Sequence, residues 1–127
     1  HPDRHGLREM NFGDWDGRSF TDIALSDPEL SREFWEAPGR IAPPKGESWD
    51  DLAARIATTV DDLVSTHGSG DIIVVAHFAA ILTALQRASG MTAKATFSFK
   101  IDNLSVTRLD FIHPSKSWRV HGVNHLP

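Results

Sequence analysis

The sequence has 127 residues, enough for one domain with its own core and too few for two ordinary ones. Hydrophobic residues make up 40% and charged residues 24%, which excludes a disordered chain, and a net charge of −4 with scattered Lys and Arg excludes a basic nucleic-acid-binding stripe. The absence of cysteine excludes a disulfide framework and a thiolate metal site.

The opening residues, HPDRHGLREM, lack the apolar core of a secretory leader, and a cytoplasmic setting is expected. LREMNFGDWDGRSF follows, with aromatic residues around Gly13 and Gly17. It predicts a loop packed by Phe12 and Trp15, with a helix starting near Ser19. Thr21 to Ala37 predicts two short helices broken at Asp27–Pro28, and APGRIAPPKGES predicts a loop too short to link domains. Ser48 then reads as an N-cap, with Asp51 in the place where a capping box prefers Glu or Gln. Leu52, Ile56, Val60 and Leu63 recur at helical spacing, so a helix is expected from about Trp49 to Thr66, ended by Gly68.

The stretch DIIVVAHFAAILTAL, from Asp71 to Leu85, is nearly all apolar except for one histidine, His77. A membrane span needs about 20 apolar residues, more than this run provides. Its first half is a β-branched run suited to a strand covered on both faces, as in a parallel sheet. Its second half predicts a helix that ends at Gly90. Three strands are expected after it, around Thr96–Ile101, Ser105–Ile112 and Trp118–Val123. Alternating helices and strands predict a layered α/β fold.

In such folds ligands bind beyond the carboxyl ends of the strands, where His77 falls, and where the next helix opens its free N–H groups to anions. His77 could donate a hydrogen bond to a phosphoryl oxygen or attack phosphorus, or it could close the strand end structurally. Glu9, between apolar residues and ahead of a glycine turn, could act as general acid and base, though most glutamates are simply exposed. His113, His121 and His125 suggest a metal site, but Gly122 and the final Pro127 argue against the helix that would align them, and none is expected. Trp35, Trp49 and Trp118 read as packing residues.

Taken in order, LREMNFGDWDG, PPKGESWDDLAARI, IIVVAHFAAI and IDNLSVTRLDF with the ending VNHL resemble the histidine phosphatase superfamily, the phosphoglycerate mutase-like proteins. The resemblance implies a layered α/β/α fold with a mainly parallel sheet, and one domain over residues 1–127 that corresponds to the C-terminal two-thirds of a phosphatase domain. It implies a metal-independent phosphatase that acts on small phosphomonoesters through a phosphohistidine and uses no cofactor. A phosphoglycerate mutase and a non-catalytic phosphate- or protein-binding module are the alternatives. By the same resemblance Glu9 is the acid/base, His77 the second histidine, and Phe78 supplies a backbone N–H beside the phosphate. Arg55 matches a helix position read as structural. The nucleophilic histidine is expected in an opening Arg-His-Gly strand that this sequence lacks. Arg4-His5-Gly6 has the right letters, but no apolar strand precedes it and Glu9 follows four residues after His5. The expected partner is a small phosphorylated metabolite, with no nucleic acid and no membrane, and a homodimer is an open alternative to a single copy. Specificity is expected from the loop around Ser26–Lys45, with the bulk of Phe78 narrowing the site.

Overall fold

The computed structural model describes residues 4–127. The expectation about a leader begins in His1–Asp3, which lie outside the described residues. Ser19 caps α1, Phe20–Ser26, by accepting the Asp22 N–H. Pro28 opens α2, Pro28–Glu36, as its first residue, where a missing N–H costs nothing. The two short helices and the break between them are as the sequence predicts.

Helix α3, Trp49–His67, is the long scaffold of the molecule. Its capping box is complete: Ser48 Oγ accepts the Asp51 N–H at 3.1 Å, and Asp51 Oδ2 accepts the Ser48 N–H at 3.4 Å. Such a cap contributes about 1 kcal/mol to a helix. The buried side chains of α3 (Trp49, Leu52, Ile56 and Leu63) follow the predicted period. Helix α4, Phe78–Ser89, buries Leu82 and Leu85 against it and ends at Gly90 in the left-handed conformation. Phe34 and Trp49 are fully buried in the same core, where Trp49 Nε1 donates to Gln86 Oε1 at 2.7 Å. Trp35 and Trp49 both stack edgewise or tilted on Phe97, so they pack as expected.

A short helix α5, Ala93–Thr96, replaces the strand expected around Thr96–Ile101. Thr92 Oγ1 accepts the Ala95 N–H at 3.1 Å, and Thr96 Oγ1 donates back to the Thr92 carbonyl at 2.9 Å. These local bonds favour the turn over an extended chain. Strands β1, Val106–Ile112, and β2, Ser117–His125, form an antiparallel hairpin that runs from Val106 opposite His125 to Ile112 opposite Ser117. Leu109, Val120 and Val123 press its inner face on the core beside α4.

The α/β class holds, and the described residues contain no parallel strand pair. Among the described residues the only sheet is the two-stranded hairpin. Residues 71–77 leave the turn after α3 in no strand, and the backbone groups of residues 71–76 have no backbone hydrogen bond among the described residues. Ile73 is 91% exposed and Val75 96%. A parallel ladder requires flanking strands, and this segment is hydrogen-bonded to none among the described residues.

Candidate active site at the start of helix α4

Glu9 lies in the short irregular segment between two 3-10 turns, His5–Leu7 and Gly13–Trp15. Its carboxyl group reaches across to the first turn of α4. Oε2 accepts the Ala79 N–H at 3.1 Å, and Oε1 accepts the Ala80 N–H at 3.1 Å and the Met10 N–H at 2.9 Å. The first N–H groups of a helix have no partner within it, and a carboxylate there also meets the positive end of the helix dipole. Glu9 is half-buried, and its surroundings at the carboxyl are polar N–H groups. Oε1 is filled by two donors, whereas Oε2 has one and keeps a lone pair open.

His77 occupies the N-cap position of α4 with extended backbone (φ −115°, ψ 168°), and its carbonyl accepts the Ile81 N–H at 2.9 Å. Its imidazole makes no capping bond and is exposed. Among the described residues the Phe78 N–H has no hydrogen-bond partner, so it is the remaining free donor of that turn. Glu9, His77 and Phe78, picked out in the sequence far apart, thus meet at one helix end. The Phe78 ring is 44% exposed.

A groove of about 700 Å³ runs from His77 along the extended segment 72–75, with Arg4, Arg8 and Leu7 on its other wall. Glu9 and Phe78 are not among its lining residues. Arg4 is tied to Asp62 at 2.9 Å, and Arg8 donates one bond to the His5 carbonyl at 2.9 Å. His5 is exposed and does not line the groove. Along the hairpin, His121 Nδ1 lies 3.6 Å from Asp110 Oδ2, and His113 stacks edge-on against Phe111.

Sequence reasoning placed Arg55 in the scaffold and missed how much it holds. From α3 its guanidinium donates to the carbonyls of Gly6 and Arg8, both at 2.9 Å, and to that of Glu9 at 3.4 Å. It also pairs with Glu47 Oε1 at 2.5 Å. Glu47 in turn accepts the Asn11 N–H at 2.8 Å and donates its own N–H to the Asn11 carbonyl at 2.9 Å. Gly46 is the glycine this closeness demands, since a Cβ there would stand 2.6 Å from the Asn11 carbonyl oxygen.

Residues 3–125 match the profile of the Histidine phosphatase superfamily (branch 1). The adenosylcobalamin/alpha-ribazole phosphatase of Escherichia coli is 26% identical over 114 residues, which are 90% of this chain and 56% of that protein. The structure of Bacillus stearothermophilus YhfR superposes with a TM-score of 0.87 at 25% identity, over 98% of this chain and 61% of that one. A mycobacterial glucosyl-3-phosphoglycerate phosphatase with inorganic phosphate superposes at 0.79 with 27% identity, over 95% of this chain and 63% of that one. The chain therefore spans little more than half the length of these relatives. Among its described residues no helix is long and apolar enough to cross a membrane. With the match running through nearly every residue and the same fold in the solved relatives, the chain belongs to the histidine phosphatase superfamily, branch 1.

Proposed function

We propose that these residues form the acid/base and phosphate-holding half of a metal-independent phosphomonoesterase that acts on small phosphorylated metabolites in the cytoplasm. One observation carries the reading: the Glu9 carboxylate sits on the first turn of α4 beside His77 and the free Phe78 N–H. In this reading a histidine outside the present sequence, implied by the family resemblance, attacks phosphorus. The bond from phosphorus to the ester oxygen breaks as a new nitrogen–phosphorus bond forms. Glu9 enters the cycle as the carboxylic acid, with a proton taken from solvent on Oε2 where a lone pair is open, and passes that proton to the leaving oxygen, becoming the carboxylate. His77 and the Phe78 N–H hold the non-bridging phosphoryl oxygens and offset their charge. Glu9 then takes a proton from water, the water oxygen bonds to phosphorus, and the nitrogen–phosphorus bond breaks to release phosphate. The segment from Ser26 to Lys45 sets the substrate range.

The test is turnover of p-nitrophenyl phosphate and of an alkyl phosphate by the protein at its natural length, with the phosphoenzyme trapped by an alkaline denaturing quench. A base-stable, acid-labile phosphoryl adduct on histidine is the expected result. Vanadate binding without any phosphate release would overturn the reading in favour of a binding module. Relatives named as probable phosphoglycerate mutases, such as that of Photorhabdus laumondii at 26% identity over 84% of this chain and 50% of that protein, keep a mutase as the second reading. Conversion of 3-phosphoglycerate to its 2-isomer rather than to free phosphate would favour it.

A further inference from the structure

We infer that Arg55 and Glu47 are positioning residues for Glu9, setting where its proton is delivered; this rests on the acid/base reading of Glu9. The guanidinium of Arg55 is three-pronged in its use. It takes the carbonyls of Gly6, Arg8 and Glu9, while Glu47 fixes its orientation from the other side. Glu47 also clamps Asn11 through both its carboxylate and its backbone N–H. The carbonyls of Gly6, Arg8 and Glu9 are thereby tied to helix α3, and Asn11 to the residue two before its start. Both side chains are mostly buried, at 15% and 17% exposure, so the pair is shielded from solvent and holds a defined geometry.

The other side of Glu9 is fixed by α4 through Ala79 and Ala80. The carboxyl group is thus suspended between two helices, with Arg55 holding its main chain and α4 its oxygens. Neither Arg55 nor Glu47 lines the groove at His77, and both act through Glu9. Arg, with donors on separate nitrogens of a planar fork, can span three carbonyls; Lys, with its three donors on one nitrogen, cannot cover the same spread. Displacement of an acid by about 1 Å costs on the order of a hundredfold in rate, even when the displaced group is chemically unchanged.

Leaving-group dependence separates positioning from general structural support. p-Nitrophenolate leaves without much help from an acid, whereas an alkoxide needs the proton. Arg55→Met and Glu47→Gln are expected to lower kcat/KM, which reports the phosphorylation step and not the later attack of water, by about tenfold or more for an alkyl phosphate and by less than about threefold for p-nitrophenyl phosphate. Arg55→Lys should recover only part of the loss. Added to Glu9→Gln, Arg55→Met should cause no further loss on either substrate. Equal losses on both substrates, or full additivity with Glu9→Gln, would overturn the inference. If Glu9→Gln alone shows no preference between leaving groups, the acid role of Glu9 fails, and the positioning role fails with it by a different measurement. Should Arg55→Met not fold, Glu47→Gln carries the test.

Discussion

His77 stands at the N-cap of α4, yet the side chain that caps the helix is that of Glu9, whose two oxygens take the Ala79 and Ala80 N–H groups at 3.1 Å. One residue thus supplies a structural bond and, in the proposed chemistry, a proton, while its neighbour at the helix end is left with a free imidazole. These two roles can be separated by mutation.

Glu9→Gln keeps one accepting oxygen and loses the acid. We expect at least a hundredfold loss of turnover on an alkyl phosphate, the usual scale for a general acid, with a stability loss of about 1 kcal/mol from the weakened cap. Denaturant midpoints together with initial rates check it. A rate near that of the wild type would leave Glu9 with the cap alone.

His77→Ala should cost rate without a matching cost in stability. The imidazole is exposed and bonded to nothing in the helix, so stability should change by no more than about 0.5 kcal/mol. The rate should fall by about a hundredfold or more if the ring offsets phosphoryl charge. Thermal unfolding and p-nitrophenyl phosphate turnover, measured on one preparation, decide between a working and an idle histidine.

Gly6 is pressed against α3 at Thr59. A Cβ at Gly6 would collide with Thr59 Oγ1 and stand 3.1 Å from Thr59 Cβ, so turning the Thr59 side chain does not clear the space. Gly6→Ala should destabilise by about 1–3 kcal/mol by forcing the first turn off the helix that Arg55 ties it to. Thr59→Ala in the same protein should restore part of the loss. Urea denaturation of the two variants checks it; no recovery would mean the strain lies elsewhere.

The hairpin carries an acid-sensitive contact. Arg108 and Arg119 donate to Asp110 at 3.0 and 3.1 Å and hold its carboxyl below the usual aspartate range. A depressed value in the folded state adds stability that is fully present above the unfolded value of about 3.9 and is lost as pH falls through the folded one. The wild type should therefore lose a part of its stability below about pH 4 that Asp110→Asn does not have to lose. Salt should shrink the difference, because the pair is open to solvent. Unfolding midpoints between pH 7 and pH 2 at two ionic strengths test this.

The local structure was legible where its causes are local. Ser48 and Asp51 cap α3 across three residues, Pro28 breaks the chain where it stands, and Gly90 ends α4 in a conformation glycine adopts freely. The strand expected at Thr96–Ile101 was not legible, because Thr92 and Thr96 lend their hydroxyls to a turn that hydrophobic pattern alone does not reveal. Residues 72–76 have the composition of a buried strand, but pairing is a property of neighbours, and no spacing in the segment encodes one. Glu9, His77 and Phe78 could be picked out only as separate candidates. Their meeting depends on contacts that span about seventy positions along the chain. Arg55 reaches carbonyls 46 to 49 positions away, so its role has no periodic signature at all.

The Glu9 cap has a consequence for the tempo of the backbone at the candidate site. Amides that are hydrogen-bonded to nothing exchange with deuterium at close to the rate of an open chain, whereas those of a packed helix wait for local or global opening. The border of protection in α4 falls at Ala79: its amide and those after it should label slowly. Glu9 holds the first two protected amides, so Glu9→Ala should move that border into the helix by about a turn and leave the amides of α3 unchanged. A single carboxyl group thus sets where protection begins at the start of α4.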